Sequence, residues 1–292
     1  MSSADVAPTR SALPAWRAWL SMARVSNTPT TVSDVVAGAV LVVAAPAAGT
    51  VAVVAVAMAL FYTAGMILND VLDEAIDRVK RPERPLPSGR VSRRAAILAV
   101  AGLLAVGELL LALEGLEPAL AGLALIALIV LYDAWHKGNA LSPVLMGGCR
   151  ALVYVVAGLA VAGAVNAELW GAAALLLVYV VGLTQVAKAE GGGLAARWPV
   201  LAVLAPAAYW AKELPAAEVA LLLAAFLLWG GYALWLVLAR RRIGQGVVRL
   251  IAGIALYDAL VVAAAGGSAA AVAVCLAAFA TTIALQTKIA GT

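Results

Sequence analysis

The feature that most limits how this chain can fold is a series of long apolar runs separated by short polar connectors. They cover approximately 30–47, 50–72, 94–113, 118–134, 141–164, 167–187, 198–211, 216–239, 247–265 and 268–286. Most approach the ~20 residues that a helix needs to cross a hydrocarbon core about 30 Å thick. Within a bilayer every backbone amide must find an internal partner, which leaves helices or the strands of a closed barrel. Barrel strands alternate apolar and polar residues, and these runs do not. The expectation is an all-α, polytopic transmembrane helical bundle, with residues 1–292 as a single domain. Composition points the same way: 65% of residues are hydrophobic and 12% charged, against about 45–50% and about 25% in soluble domains. A soluble fold could not hide that much apolar surface, and nothing in the chain suggests a nucleic-acid partner.

Charge tests the count. With the N-terminus in the cytoplasm, the inner segments are the N-terminal tail, 73–93, 135–140, 188–197, 240–246 and the C-terminal end. These segments and the adjoining helix ends carry all 20 Lys and Arg residues except Lys212, whereas Glu114, Glu117, Glu168, Glu213 and Glu218 fall outside. The asymmetry follows the positive-inside rule. It predicts an integral membrane protein of ten spans with both termini cytoplasmic, nine spans being the alternative. The seventh run is short and contains Pro206, and the last two are separated only by Gly266-Gly267, where a re-entrant hairpin would also fit. Residues 1–28 read as a cytoplasmic or interfacial segment. Within it Leu13, Trp16, Trp19, Leu20 and Ala23 recur at roughly helical spacing, as in a short helix lying at headgroup level. No continuous apolar core precedes a small-residue cleavage site, so no signal peptide is expected. Cys149 and Cys275 sit in apolar runs without metal or redox spacing and read as small buried hydrophobes.

The chemistry concentrates where the second run ends, in MILNDVLDEAIDRVKRPERPLPSGRVSRR. Asp70, Asp73 and Asp77 fall within a roughly 60° arc of a helix turning about 100° per residue, Glu74 widens it to about 100°, and Asn69 borders it. Carboxylates stacked at a membrane boundary repel one another, so something cationic must accompany them. One answer is a solvated salt-bridge network with Arg78, Lys80, Arg81, Arg84 and Arg90. The other is Mg²⁺, a hard cation that takes oxygen ligands and shares its shell with water and substrate phosphates. The adjacent cations would then hold the remaining phosphate oxygens. Pro82, Pro85 and Pro87 stiffen the loop that carries them.

The combination N-D-x-x-D-x-x-x-D followed by R-P-x-R-P-L-P-S-G, over residues 69–89, resembles the first signature of the UbiA-type membrane prenyltransferases. The resemblance implies Mg²⁺ and an isoprenyl diphosphate bound in a cavity that opens sideways to lipid, with ionisation of the allylic diphosphate and alkylation of an acceptor. Asn27, with Arg24 before it and Pro29 after, is similar to an asparagine on the family's first helix that borders the cavity. Tyr132 and Lys137, in LYDAWHKGN, resemble a Tyr…Lys element at the end of the fourth helix. The local alternative for that stretch is an Asp133–Lys137 pair at i, i+4, and His136 reads as an interfacial residue. The resemblance implies that Asn69, Asp70, Asp73 and Asp77 position metal and diphosphate. Arg78, Lys80, Arg81, Arg84 and Lys137 would stabilise the departing pyrophosphate, and the acceptor would sit deeper, near Asn27, Tyr132 and Arg150.

One place departs from the family. Its second Asp-rich motif, at the end of helix six, is replaced by GLTQVAKAEGGG, in which Glu190 is the only acid and Lys188 lies beside it. Glu190 is then the candidate metal-side ligand, and Lys188 the candidate replacement for part of the metal's charge. The Lys-Ala-Glu-Gly-Gly pattern resembles a subgroup with modified second motifs. Asp34, Glu108 and Asp258 are intramembrane acids, expensive wherever they sit. Two other functions remain compatible with the sequence: transfer of a phosphosugar to a polyprenyl phosphate, and non-catalytic isoprenoid binding or transport.

Overall fold

The structure is a computed structural model that describes residues 15–188, 198–211 and 216–289. Among these residues every ordered element is helical. A short helix α1 (Ala15–Met22) leads through a 3₁₀ turn (Val25–Asn27) into α2 (Pro29–Val40). There follow α3 (Ala48–Lys80), α4 (Arg93–Glu114), α5 (Leu116–Trp135), α6 (Ser142–Ala162), α7 (Ala167–Lys188), α8 (Trp198–Trp210), α9 (Ala217–Leu238), α10 (Ile243–Ala264) and α11 (Ala269–Gln286). Each predicted apolar run overlaps one of the ten helices α2 to α11. Eight of them are long and apolar enough to cross a membrane. The two shorter ones are α2, of 12 residues, and α8, of 13 residues with Pro206 inside. Both α10 and α11 have spanning length on either side of the Gly266-Gly267 turn, where Gly266 takes φ 71°.

Local chemistry sets the boundaries. Pro29 opens α2 at its first turn, where a missing N–H costs nothing. The Ser92 and Ser268 side chains cap α4 and α11 by accepting from Ala95 N and Ala271 N. Asn166 accepts from Leu169 N and donates to Leu41 O, tying the start of α7 to the end of α2.

The innermost helix is α10, with 72% of its most apolar window buried against 22% for α4 and α11. It is apolar all round, as a helix enclosed by others must be, and it packs on α2, α7, α9 and α11. Close approach depends on small residues: a Cβ at Gly38 of α2 would lie 2.6 Å from Tyr154 Cα of α6. Two further apolar clusters join α3 to α4, α5 and α6, and α1 to α3, α4 and Leu86. Helix α3 has 33 residues, about 50 Å at 1.5 Å per residue, and so outruns a hydrocarbon core of about 30 Å. Its surplus length is the segment that carries the acids. The inner segments expected from charge do gather at one end. Lys188 at the end of α7 reaches Ser142 at the start of α6, and Gln286 at the end of α11 reaches Asn27 before α2.

Candidate active site

At that end a cavity of about 650 Å³ runs inward between α2, α3, α5, α6, α7 and α10. Its mouth is polar, with Arg24, Asn27, Arg81, Glu83, Arg84 and Asp133. Its shaft is apolar, with Met58, Phe61, Leu125, Ile129, Val180 and Ile254 among its walls.

The acids of α3 divide between two faces. Asp70 and Asp77, both buried, share one guanidinium: Arg84 Nη1 lies 3.2 Å from Asp70 Oδ1 and 2.8 Å from Asp77 Oδ2. Arg24 Nη2 approaches Asp70 Oδ1 at 3.6 Å. The 3₁₀ turn holds Arg24 in left-handed backbone, φ 43° and ψ 46°, a conformation costing a residue with a Cβ roughly 1–2 kcal/mol. Asp73 pairs with Lys137 from beyond α5, and His136 Nε2 stands 3.7 Å from its other oxygen. Glu74 faces away from the mouth, where Arg78 at 2.6 Å and Arg93 at 2.7 Å neutralise it. Asn69 Nδ2 donates to Asp133 Oδ1 at 3.1 Å, joining α3 to α5.

The anticipated Asp133–Lys137 pair does not form. Helix α5 stops at Trp135 and Gly138 turns the chain at φ 68°, so Lys137 leaves the helix surface and goes to Asp73. The Tyr132 ring lines the cavity and stacks on His136 with centroids 5.3 Å apart. About two turns below the acids, Arg150 reaches the cavity wall from α6. Its Nη1 donates to Asp34 Oδ2 at 2.5 Å, and its guanidinium lies over the Tyr62 ring, 5.6 Å from the centroid. Asp258, fully buried on α10, accepts from Ser33 Oγ and Tyr154 OH, each at 2.5 Å. The Glu108 carboxyl rests against Gly122 of α5, with Oε2 lacking a hydrogen-bond partner.

Thus Asn69, Asp70, Asp73, Asp77, Arg84, Tyr132 and Lys137 come together, with Asn27, Arg81 and Arg150 on the same cavity. Three of the sequence candidates lie elsewhere. Arg78 belongs to the Glu74 cluster, and Lys80 is exposed at the end of α3. Lys188 donates to Ser142 Oγ at 2.6 Å and to Asn139 O at 3.4 Å, while Val180, Leu183, Thr184 and Ala187 of the same helix reach the wall. Glu190 lies outside the described residues. Sequence reasoning passed over Asp133 as a site residue. The signal for Asp133 was its position beside Tyr132 at an inner helix end.

The donor set suits a divalent hard cation. Among the described residues no three acids, histidines or cysteines converge on one point. Mg²⁺ does not require that, because one or two carboxylates suffice when water and substrate phosphate complete the shell. Asn69, Asp70 and Asp73 follow one another within about one turn of α3, and Asp133, hydrogen-bonded to Asn69, has an Oδ2 without a partner among the described residues.

Comparison with known proteins places this geometry among relatives. The family model described as the UbiA prenyltransferase family matches residues 31–262. Over 99 residues the chain is 42% identical to a digeranylgeranylglyceryl phosphate synthase of Ignicoccus hospitalis, an alignment covering 32% of this chain and 30% of that one. The match therefore spans under a third of that relative's length. Among solved structures, the apo form of a UbiA homolog from Aeropyrum pernix K1 superposes with a TM-score of 0.68 at 20% identity, covering 81% of this chain and 97% of that chain. A UbiA homolog from Archaeoglobus fulgidus bound to GPP and Mg²⁺ gives 0.59 at 15% identity, covering 84% and 99%. At such identities the likeness speaks for the fold.

Proposed function

The chain belongs to the UbiA prenyltransferase family, and from that premise we propose that it transfers an isoprenyl group from a prenyl diphosphate to an acceptor at this cavity. One observation carries the reading. A charged mouth and an apolar shaft form a single continuous space, the shape and polarity of an amphiphile with a diphosphate head and a hydrocarbon tail. The names of the aligned relatives and the GPP and Mg²⁺ held by a structural neighbour support it.

In this reading Asp70 and Asp73 would hold Mg²⁺, which would supply charge to stabilise a departing pyrophosphate. The chain's own cations do the rest. Arg84 and Arg24, which neutralise Asp70 and Asp77 in the resting site, turn to the diphosphate oxygens, and Arg81, without an ion pair among the described residues, joins them. Lys137 adds a point charge from the α5 side. The apolar shaft holds the tail and excludes water from the carbon that becomes electron-poor as its C–O bond breaks, and the Tyr132 ring offers that carbon a π face. Arg150 and Asn27 provide polar contacts for the acceptor, which loses the proton replaced by the prenyl group. With the inner segments cytoplasmic, as the charge map has them, Mg²⁺ and donor enter from the cytoplasm.

The test uses purified protein in liposomes with Mg²⁺ and labelled prenyl diphosphates, offering geranylgeranylglyceryl phosphate and a metabolite extract as acceptors. Mg²⁺-dependent labelled product with release of pyrophosphate is expected. Tight binding of a prenyl thiodiphosphate without any turnover of the true diphosphate would instead identify a non-catalytic binder.

A further inference from the structure

Each acid of α3 from Asp70 to Asp77 has a cation. Asp70 has Arg24 and Arg84, Asp77 has Arg84, Asp73 has Lys137, and Glu74 has Arg78 and Arg93. Asp133 has no ion pair among the described residues. The residue lines the cavity and is 4% exposed, its Oδ1 accepts from Asn69, and its Oδ2 is buried without a hydrogen-bond partner among the described residues. Removing a carboxylate from water without a counter-charge costs several kcal/mol, so the position calls for a positive ligand that the described side chains do not supply.

Three facts say which ligand. Asp133 lines a cavity, so the missing partner arrives from outside the fold. Its neighbour Asn69 spends its amide N–H on Asp133, which leaves its carbonyl oxygen for a ligand. The inner end of α7 contributes Leu183, Thr184 and Ala187 to the wall and no carboxylate among the described residues. An oxygen-only pocket of one carboxylate and one amide, next to a phosphate-sized space ringed by arginines, is the environment of a cation completed by water and phosphate.

We propose that Asp133 is a metal ligand: with Asn69 it holds a divalent cation on the α5 side of the mouth, apart from the one held by Asp70 and Asp73. The inference rests on the prenyl diphosphate reading and assigns a residue to it. Asp133 also fixes Asn69 through Oδ1, so one side chain both binds the ion and orients its co-ligand. Approach of the ion also removes the cost of the unpaired carboxylate, so diphosphate and metal load together.

Mn²⁺ serves as the probe, counted by electron paramagnetic resonance on detergent-solubilised protein with inorganic pyrophosphate present. Asp133→Asn keeps the volume and an acceptor for Asn69 but removes the charge. It is expected to bind one fewer Mn²⁺ per chain than wild type, or to bind it at least the roughly 10–100-fold more weakly that loss of even an outer partner costs, with an unchanged melting temperature. Asp133→Glu, which restores the charge, should recover part of the affinity, an effect that a packing role would not produce. Unchanged Mn²⁺ stoichiometry and affinity in Asp133→Asn, while Asp70→Asn loses Mn²⁺, overturns the inference and leaves the parent reading standing. Absence of Mn²⁺ binding in wild type overturns both.

Discussion

Arg150 and Arg78 separate two kinds of ion pair. The Arg150 side chain is 12% exposed and that of Asp34 is fully buried, whereas the side chain of Arg78 is 63% exposed. Arg150→Leu strands the Asp34 charge and should cost about 3–5 kcal/mol. Arg78→Ala should stay within about 0–1 kcal/mol. Changing Asp34 to Leu as well removes the stranded charge and should return most of the stability, which chemical denaturation in detergent micelles would measure. A double variant as unstable as Arg150→Leu alone would mean that the pair is packed for its shape rather than tolerated for its charge. At this scale the sequence was only half legible. The i, i+3, i+7 spacing put Asp70, Asp73 and Asp77 towards one side of the continuous helix, but Glu74, expected on the same arc, turns to Arg78 and Arg93. The local alternative for Lys137, a pair with Asp133, fails because i, i+4 reasoning needs a helix that persists, and α5 ends two residues earlier. The partners of Asp258 lie 225 and 104 residues away, beyond the reach of any local pattern.

Elements decide how deep the cavity runs. Helix α4 faces mostly outward, yet its Gly107 backs onto Phe61 of α3. A Cβ there would fall 2.6 Å from Phe61 Cε1, and Phe61 lines the shaft. Gly107→Ala should drive the ring into the shaft at an overpacking cost of about 1–3 kcal/mol. Affinity for long prenyl thiodiphosphates should then fall while that for the shortest is kept, and Phe61→Leu in the same background should restore the long ones. Equal loss across the length series would locate the effect in the diphosphate site instead. Element existence was readable because each run was long enough to be one helix and nothing else. The crossing of α3 with α5, which brings Asn69 to Asp133, was not. Helix pairing in a bilayer follows small-residue contacts and shape rather than the hydropathy that reveals the helices.

For the molecule as a whole, the charge map and the described helix ends make the same statement: the C-terminal ends of α3, α5, α7 and α11 gather on one side with the starts of α6 and α10. Single cysteines at Ser88 and Glu117, with Cys149 and Cys275 changed to Ala, should react with an impermeant thiol reagent from opposite faces of the membrane, Ser88 from the cytoplasm. Labelling of both from one face would break the alternation and remove the proposed entry route for the donor.

The Asn27–Gln286 hydrogen bond, 3.0 Å long, joins residues 259 positions apart. A second bond runs from Gln286 to Val248 O, so the last helix fastens a wall residue of the cavity, Asn27, to the start of α10. Every residue that lines the cavity belongs to the chain before the end of α10. In a growing chain these two bonds therefore form last, after the whole lining has been synthesised.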